Sequence, residues 1–302
     1  MPDWNTISDH LEETCGELLD VHSAQPVGGG CISTAYSVKT DSRRVFVKIN
    51  SAPKLAMFEA ESEGLMELAK SRSIRVPEPL CYGIAGSESY LVMEHLKLGS
   101  PTNSRSSSAK QLGQNLAALH QVTQTKNGEA HYGWFRSNTI GSTPQINDGE
   151  DDWATFWAKQ RLGYQLALAR HKGANKPVLA QGEKLCENLN EFFVSYTPEA
   201  SLLHGDLWSG NFAYDQAGQP VIFDPAVYYG DRETDLAMTE LFGGFPADFY
   251  AAYNESYPLD EGYPTRKTLY NLYHILNHYN LFGGGYLSQA SSMIDQLLSE
   301  LN

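Results

Sequence analysis

The sequence predicts an α+β protein of two lobes: a small antiparallel sheet carrying one helix, then a larger, mainly helical unit. Three observations carry this. The first ~95 residues run in short alternating apolar and polar stretches between turn residues, with one amphipathic segment among them. A polar, serine-rich stretch, "KLGSPTNSRSSSAK", then interrupts the chain. Beyond it, most apolar residues recur at helical spacing. The expected boundaries are 1–95 for the first lobe, 96–108 for the link and 109–302 for the second lobe. The 302 residues suffice for a sizeable core.

Each element follows from local pattern. The first ~20 residues suit a helix through Ile7, Leu11, Leu18 and Leu19. "PVGGGCISTAYSVKT" and "SRRVFVKIN" alternate as strands, with Asp41-Ser42 at a hairpin tip. Residues 53–71 read as a helix opened by Pro53. Two short strands meet near Ala85-Gly86-Ser87. After the link, Leu112, Leu116 and Leu119 share one helical face. Trp153, Phe156, Trp157, Gln160 and Tyr164 share another. Further helices are expected over 181–196, 232–241, 246–256, 265–281 and 286–301. Residues 202–224 are the exception and read as strand, loop, strand, turn, strand, with "DQAGQ" as the turn.

The formal net charge is -14, which argues against a nucleic-acid partner and requires any anion site to be built locally. No apolar run is long enough to span a bilayer. The acidic, polar start lacks a secretory pattern. Four scattered cysteines without metal-ligand spacing suit a cytoplasmic protein with free thiols. A monomer or weak dimer is expected.

The densest chemistry lies in "LLHGDLWSGN", residues 202–211, where an apolar strand ends in His204, Asp206 and Asn211. Asp and Asn five residues apart have the spacing of a phosphotransfer loop. The aspartate can accept the proton of an attacking hydroxyl, and the asparagine carbonyl can ligate magnesium without adding charge. Asp224 ends the following hairpin, where a second metal-binding carboxylate would meet Asn211; amide and carboxylate oxygens suit Mg2+ together with nucleotide phosphates. His204 is expected to hold the loop. Asp231 suits a helix N-cap, with Glu233 and Asp235 in the first turn; Asp235 could also brace the catalytic loop through backbone N–H groups.

In "VGGGCIS", three glycines between strands let backbone N–H groups approach phosphate oxygens. Without G-K-[ST] before a helix this is no Walker loop; it is either a strand-loop-strand flap or a plain turn. Lys48 shares a strand face with Phe46, opposite Val45, Val47 and Ile49. It either faces solvent or reaches phosphates while pairing with a helix carboxylate. Phe58, Glu61, Leu65 and Leu68 form one stripe, so Glu61 points inward, where an unpaired charge is costly. Lys48 is its expected partner. Glu59 and Glu63 fall off the stripe and are expected in solvent. The strand "YLVMEHL" is either a plain edge or offers adenine the backbone of Glu94, His95 and Leu96, with Met93 lining the base pocket.

In this order, "GGGCIS", "FVK", "FEAE", "LVME", "HGDLWSGN", "FDPA", "YYGDRETDLAM" and "LFGG" resemble the protein-kinase-like superfamily, aminoglycoside phosphotransferase-like branch, and most closely the fructosamine kinase (ketosamine-3-kinase) family. The resemblance covers about residues 28–284. It implies a two-lobed protein-kinase-like fold and ATP-dependent phosphorylation of a fructosamine- or ribulosamine-type ketoamine, free or protein-linked, at its 3-hydroxyl. It implies Asp206 as catalytic base and Asn211 and Asp224 as magnesium ligands. Lys48 and Glu61 would be the ion pair, and Gly28, Gly29, Gly30, Cys31, Ile32 and Ser33 the phosphate flap. Trp208 would lie near the acceptor sugar. Gly205 stands where protein kinases carry an arginine, and Asp224 precedes Pro-Ala rather than Phe-Gly, so activation-loop phosphorylation is not expected. Two alternatives stay open: a kinase of another hydroxylated amine (aminoglycoside, choline or homoserine type), and a catalytically inactive nucleotide-binding protein.

Overall fold

The computed structural model describes residues 2–28, 32–99 and 105–301. Helix α1 (Trp4–Cys15) precedes strands β1 (Leu19–Val27), β2 (Thr34–Thr40) and β3 (Arg44–Ser51). Helix α2 (Leu55–Lys70) follows, then β4 (Pro79–Ala85) and β5 (Glu88–Glu94). The five strands form one antiparallel sheet in the order β1-β2-β3-β5-β4.

Both sheet faces are covered, and strand alternation decides which residue goes where. Val45, Val47, Ile49, Tyr90 and Val92 pack under Ile7 and Leu11 of α1. Leu91 and Met93 pack with Phe58, Leu65 and Leu68 of α2, against which Phe46 also lies. Lys48 therefore sits on the α2 side, as its alternation with Phe46 predicts. The sheet thus carries two helices, not one. The first is shorter than expected: Gly16, at φ 72°, closes it by donating to the Glu12 carbonyl (2.8 Å). A left-handed residue there ends a helix, so Leu19 begins a strand and Leu18 stays exposed.

The larger lobe contains β6 (Leu98–Gly99), α3 (Arg105–His120), β7 (Thr125–Lys126), β8 (Glu129–Ala130), β9 (Asn138–Ile140) and β10 (Thr143–Gln145). It continues through α4 (Trp153–Phe156), α5 (Tyr164–His171), α6 (Lys176–Glu187), β11 (Ser201–Leu203), β12 (Phe212–Asp215), β13 (Pro220–Ile222) and β14 (Tyr228–Gly230). Helices α7 (Glu233–Leu241), α8 (Ala247–Ser256), α9 (Tyr263–Phe282) and α10 (Tyr286–Ser299) complete it. One apolar core runs from α2 through α3 into α9. Among the described residues, no helix is long and apolar enough to cross a membrane.

Two further helix expectations, both in the larger lobe, need correction. Between α4 and α5 the chain makes a π-helical stretch, Trp157–Gly163. The wider turn shifts the buried face by one residue: Trp153, Phe156 and Trp157 are buried as predicted, but Arg161 and Gln165 follow them inward, not Gln160 and Tyr164. The helix expected over 181–196 begins earlier, at Lys176, where Asn175 caps it by accepting from Val178 N (3.0 Å). It ends at Glu187, and a short 3-10 turn, Leu189–Phe193, follows. The β9–β10 hairpin was not anticipated. Its signal was the alternation of Asn138, Ile140, Thr143 and Gln145 around Gly141, which has φ 62°.

Candidate active site

The loop between β11 and β12 is held from below. Asp235, in the first turn of α7, accepts the backbone N–H groups of His204 (2.7 Å) and Gly205 (2.8 Å), as its placement suggested. Burial opposes its charge, but the hydrogen bond from His120, helped by the Gly205 N–H, outweighs burial and holds its pKa below the ordinary carboxylate range. Asp231 accepts from Glu233 N (2.9 Å) and from the hydroxyls of Tyr270 (2.5 Å) and Tyr196 (3.0 Å), so it fastens the start of α7. Gly205 has φ 82°, and a Cβ there would lie 2.0 Å from the Ala226 carbonyl oxygen. Only glycine fits. His204 is fully buried and supports the loop. Its Nδ1 accepts from Asp206 N (3.3 Å), which leaves Nε2–H to donate to the Phe223 carbonyl (3.0 Å). Burial pushes its pKa down and keeps the ring neutral.

Three oxygen-bearing side chains converge on this support. Asn211 Nδ2 donates to the Asp206 carbonyl (2.8 Å) and to Asp206 Oδ2 (3.2 Å), and approaches the Asp224 carbonyl (3.5 Å). Phe223 N donates to the Asn211 carbonyl (3.0 Å), tying the loop to the β12–β13 hairpin. Asp224 follows with φ 57°, a left-handed conformation that Asp and Asn tolerate better than most residues. Burial, with the nearby Asp224 carboxylate adding to it, raises the Asp206 pKa to about 7, although the Asn211 hydrogen bond opposes the rise.

The smaller lobe contributes a cation. Lys48 Nζ lies 2.5 Å from Glu61 Oε1 and 2.6 Å from Asp224 Oδ1. Burial alone would lower its pKa, but the two carboxylates overcome burial and raise it. The stripe therefore identified Glu61 correctly. It misplaced Glu59 and Glu63: both meet Arg136, at 3.2 and 2.7 Å. A single-stripe reading assumes one buried face, whereas α2 lies between a sheet and a second lobe and has two.

The other predicted residues that the structure describes come from the β1–β2 loop, from β5 and its exit, and from the β11–β12 loop. Ile32 and Ser33 are held by Asn50, whose Nδ2 donates to Ile32 O (3.1 Å) and Ser33 Oγ (3.2 Å). Gly28 is exposed at the end of β1. Gly29, Gly30 and Cys31 lie outside the described residues, as does part of the inter-lobe link. Met93 lies opposite Phe46 on the Lys48 face and is buried. The backbone of Glu94 is only partly available: its N–H donates to the Glu78 carbonyl (2.8 Å), so it is not a free donor, and Leu96 O accepts from Leu98 (3.1 Å). Sequence reasoning overlooked Arg75, which joins Glu94 (2.5 Å) to Asp215 (3.1 Å). Trp208 is 38% exposed, lies edge-on to Phe242 (6.5 Å between ring centroids) and covers the space a Cβ at Gly210 would need. Phe242 meets His278 (4.9 Å), which meets Tyr286 (5.2 Å), so an aromatic row leads away from the loop.

The donor set fits magnesium. With Asn211 Nδ2 committed to the loop, its carbonyl oxygen is the atom left for a cation. The Asp224 side chain is 47% exposed. Two hard protein oxygens with phosphate and water completing the shell is the usual magnesium arrangement. A divalent cation would also relieve the repulsion that Asp224 exerts on Asp206.

A five-stranded sheet over a helical lobe, with this loop between them, is a protein-kinase-like fold; an apo aminoglycoside phosphotransferase APH(4)-Ia matches it with a TM-score of 0.61 at 17% identity, covering 97% of this chain and 98% of that one. The chain belongs to the fructosamine kinase family, whose model matches residues 3–300. It is 48% identical to a protein named as a probable ketoamine kinase in Synechocystis sp., covering 98% of this chain and 97% of that one. It is 45% identical to the chloroplastic protein-ribulosamine 3-kinase of Arabidopsis thaliana, covering 95% and 86%. A crystal structure from Haemophilus somnus bearing the fructosamine-3-kinase name superposes with a TM-score of 0.87 at 32% identity, covering 98% and 97%.

Proposed function

We propose that this protein is an ATP-dependent kinase that phosphorylates the 3-hydroxyl of fructosamine- or ribulosamine-type ketoamines, free or protein-linked, as a deglycation repair enzyme of the cytoplasm. The observation that carries the reading is one run of contacts across the cleft, from Glu61 through Lys48, Asp224 and Asn211 to Asp206. Family membership supplies the acceptor class.

In this reading Asp206 accepts the hydroxyl proton as the γ-phosphoryl group transfers in line. A carboxylate with a pKa of about 7 is suited to the task, because it is a better base than an ordinary aspartate and is still ionised in good part at neutral pH. Lys48, oriented by Glu61, meets the nucleotide phosphates, and backbone N–H groups near Ile32 and Ser33 cover them. Asn211 and Asp224 would hold Mg2+, which supplies neutralisation of the phosphate charge. Most of the acceleration then comes from positioning and fixed charge. Trp208, two residues from Asp206 and 38% exposed, would offer the sugar-amine an aromatic surface.

The test is ADP formation with a panel of ketoamines and with aminoglycoside, choline and homoserine acceptors. Turnover confined to the amino-alcohol acceptors would replace the ketoamine assignment. No turnover of any acceptor, with nucleotide still bound, would favour an inactive nucleotide-binding protein.

A further inference from the structure

We infer that Arg136 is a positioning residue for phosphoryl transfer: it grips α2 from the larger lobe and aims Glu61 at Lys48. The inference rests on the kinase reading above. Glu59 and Glu63 are one helical turn apart and share a face, whereas Glu61 lies roughly 200° around the helix from Glu59. Arg136 donates through separate nitrogens to Glu63 (2.7 Å) and Glu59 (3.2 Å), a fork that fixes both position and rotation of the helix. With that face held, the opposite face presents Glu61 to Lys48 at 2.5 Å.

The grip is anchored beside the metal-binding aspartate. The Arg136 carbonyl accepts from Asn147 Nδ2 (3.1 Å), and Asn147 is held by buried Arg161 (2.8 Å). From the same hairpin, Gln145 donates to the Ala226 carbonyl (3.0 Å) and Asn138 to the Val227 carbonyl (2.7 Å). Ala226 is two residues from Asp224, which itself pairs with Lys48. The contacts close into a ring: Asp224, the 226–227 backbone, the β9–β10 hairpin, Arg136, α2, Glu61, Lys48 and Asp224 again. Close packing supports it, since a Cβ at Gly64 of α2 would meet Val227 at 3.1 Å, and Tyr229 donates to Glu67 of α2 at 2.7 Å. The helix is thus held in place by a fixed hairpin, without a phosphorylated segment.

The experiment compares Arg136→Gln in the wild-type and Glu61→Gln backgrounds, with the Glu59→Gln/Glu63→Gln double variant testing the grip from the helix side. Arg136→Gln is expected to lower kcat/KM for ATP by about tenfold or more, since small misplacements of catalytic groups are costly. In the Glu61→Gln background it should add less than about twofold, because residues acting through one another are non-additive. The Glu59/Glu63 variant should match the Arg136→Gln loss, and Arg136→Lys should recover part of it. Equal losses in both backgrounds, or a helix-side variant as active as wild type, would overturn the inference. If Arg136→Gln unfolds, the helix-side variant in the two Glu61 backgrounds carries the same comparison. Binding of a fluorescent ATP analogue, weakened by the same variants, separates the outcome from the acceptor assignment, because it needs no acceptor.

Discussion

Asp224 and Lys48, 176 residues apart in the chain, meet at 2.6 Å across the cleft, and Asp224 does so from a left-handed backbone. One carboxylate thus serves both lobes. Asp224→Asn keeps the backbone preference and removes the charge, so it tests the role without disturbing the turn. Magnesium should strengthen nucleotide binding markedly less in this variant than in wild type, because an amide oxygen brings no charge to the cation. Titration of ATP with and without magnesium, by calorimetry, reads the difference; a magnesium effect as large as in wild type would remove Asp224 from the proposed magnesium ligands.

Asp206→Asn should nearly abolish turnover while nucleotide binding survives. Loss of both would indicate a disturbed fold.

The same residue predicts a pH effect on stability. The Asp206 pKa rises from 3.8 to about 7 on folding. Between those values the native state binds more protons than the unfolded state, so this residue's contribution falls as pH rises through that window. Asp206→Asn should therefore melt higher than wild type without nucleotide, with a larger gap at pH 8 than at pH 5. Thermal scans at the two values check this, and a gap that shrinks with rising pH would contradict it.

Gly205→Ala must place a Cβ 2.0 Å from a backbone oxygen at φ 82°. Neither strain can be relieved by rotating a side chain. A loss of about 2 kcal/mol or more is expected, together with most activity. Urea unfolding at constant m-value measures the first.

Asp235→Asn replaces a charged acceptor of two backbone N–H groups. The amide can satisfy only one of them through its oxygen, and the buried donor left over costs about 1–3 kcal/mol. Its unfolding midpoint should drop, and its kcat should fall more than its ATP affinity.

Trp208→Ala should raise KM for the acceptor and leave KM for ATP within about twofold, because the ring lies against Phe242 of the larger lobe. Equal effects on both substrates would place the indole elsewhere in the reaction.

Much of this was legible in the residues. Strand alternation put Lys48 opposite Val47, and helix periodicity singled out Glu61, because both periods are set by backbone geometry alone. The string from His204 to Asn211 signalled its chemistry because a short loop fixes spacing locally. Asp235 was legible as a candidate brace from its place just beyond the loop, but packing chose the N–H groups it accepts, those of His204 and Gly205 and not those of its own helix.

Local pattern determined which side chains share a face and which loop carries the chemistry. Only the tertiary structure decided what meets them across the lobes: Arg136 against Glu59 and Glu63, Arg75 against Asp215, and the π-helical turn that carries Arg161 inward. The physical reason is range. Periodicity reports the environment of one element, whereas an ion pair between lobes depends on how distant segments pack, and no single stretch of sequence holds that information.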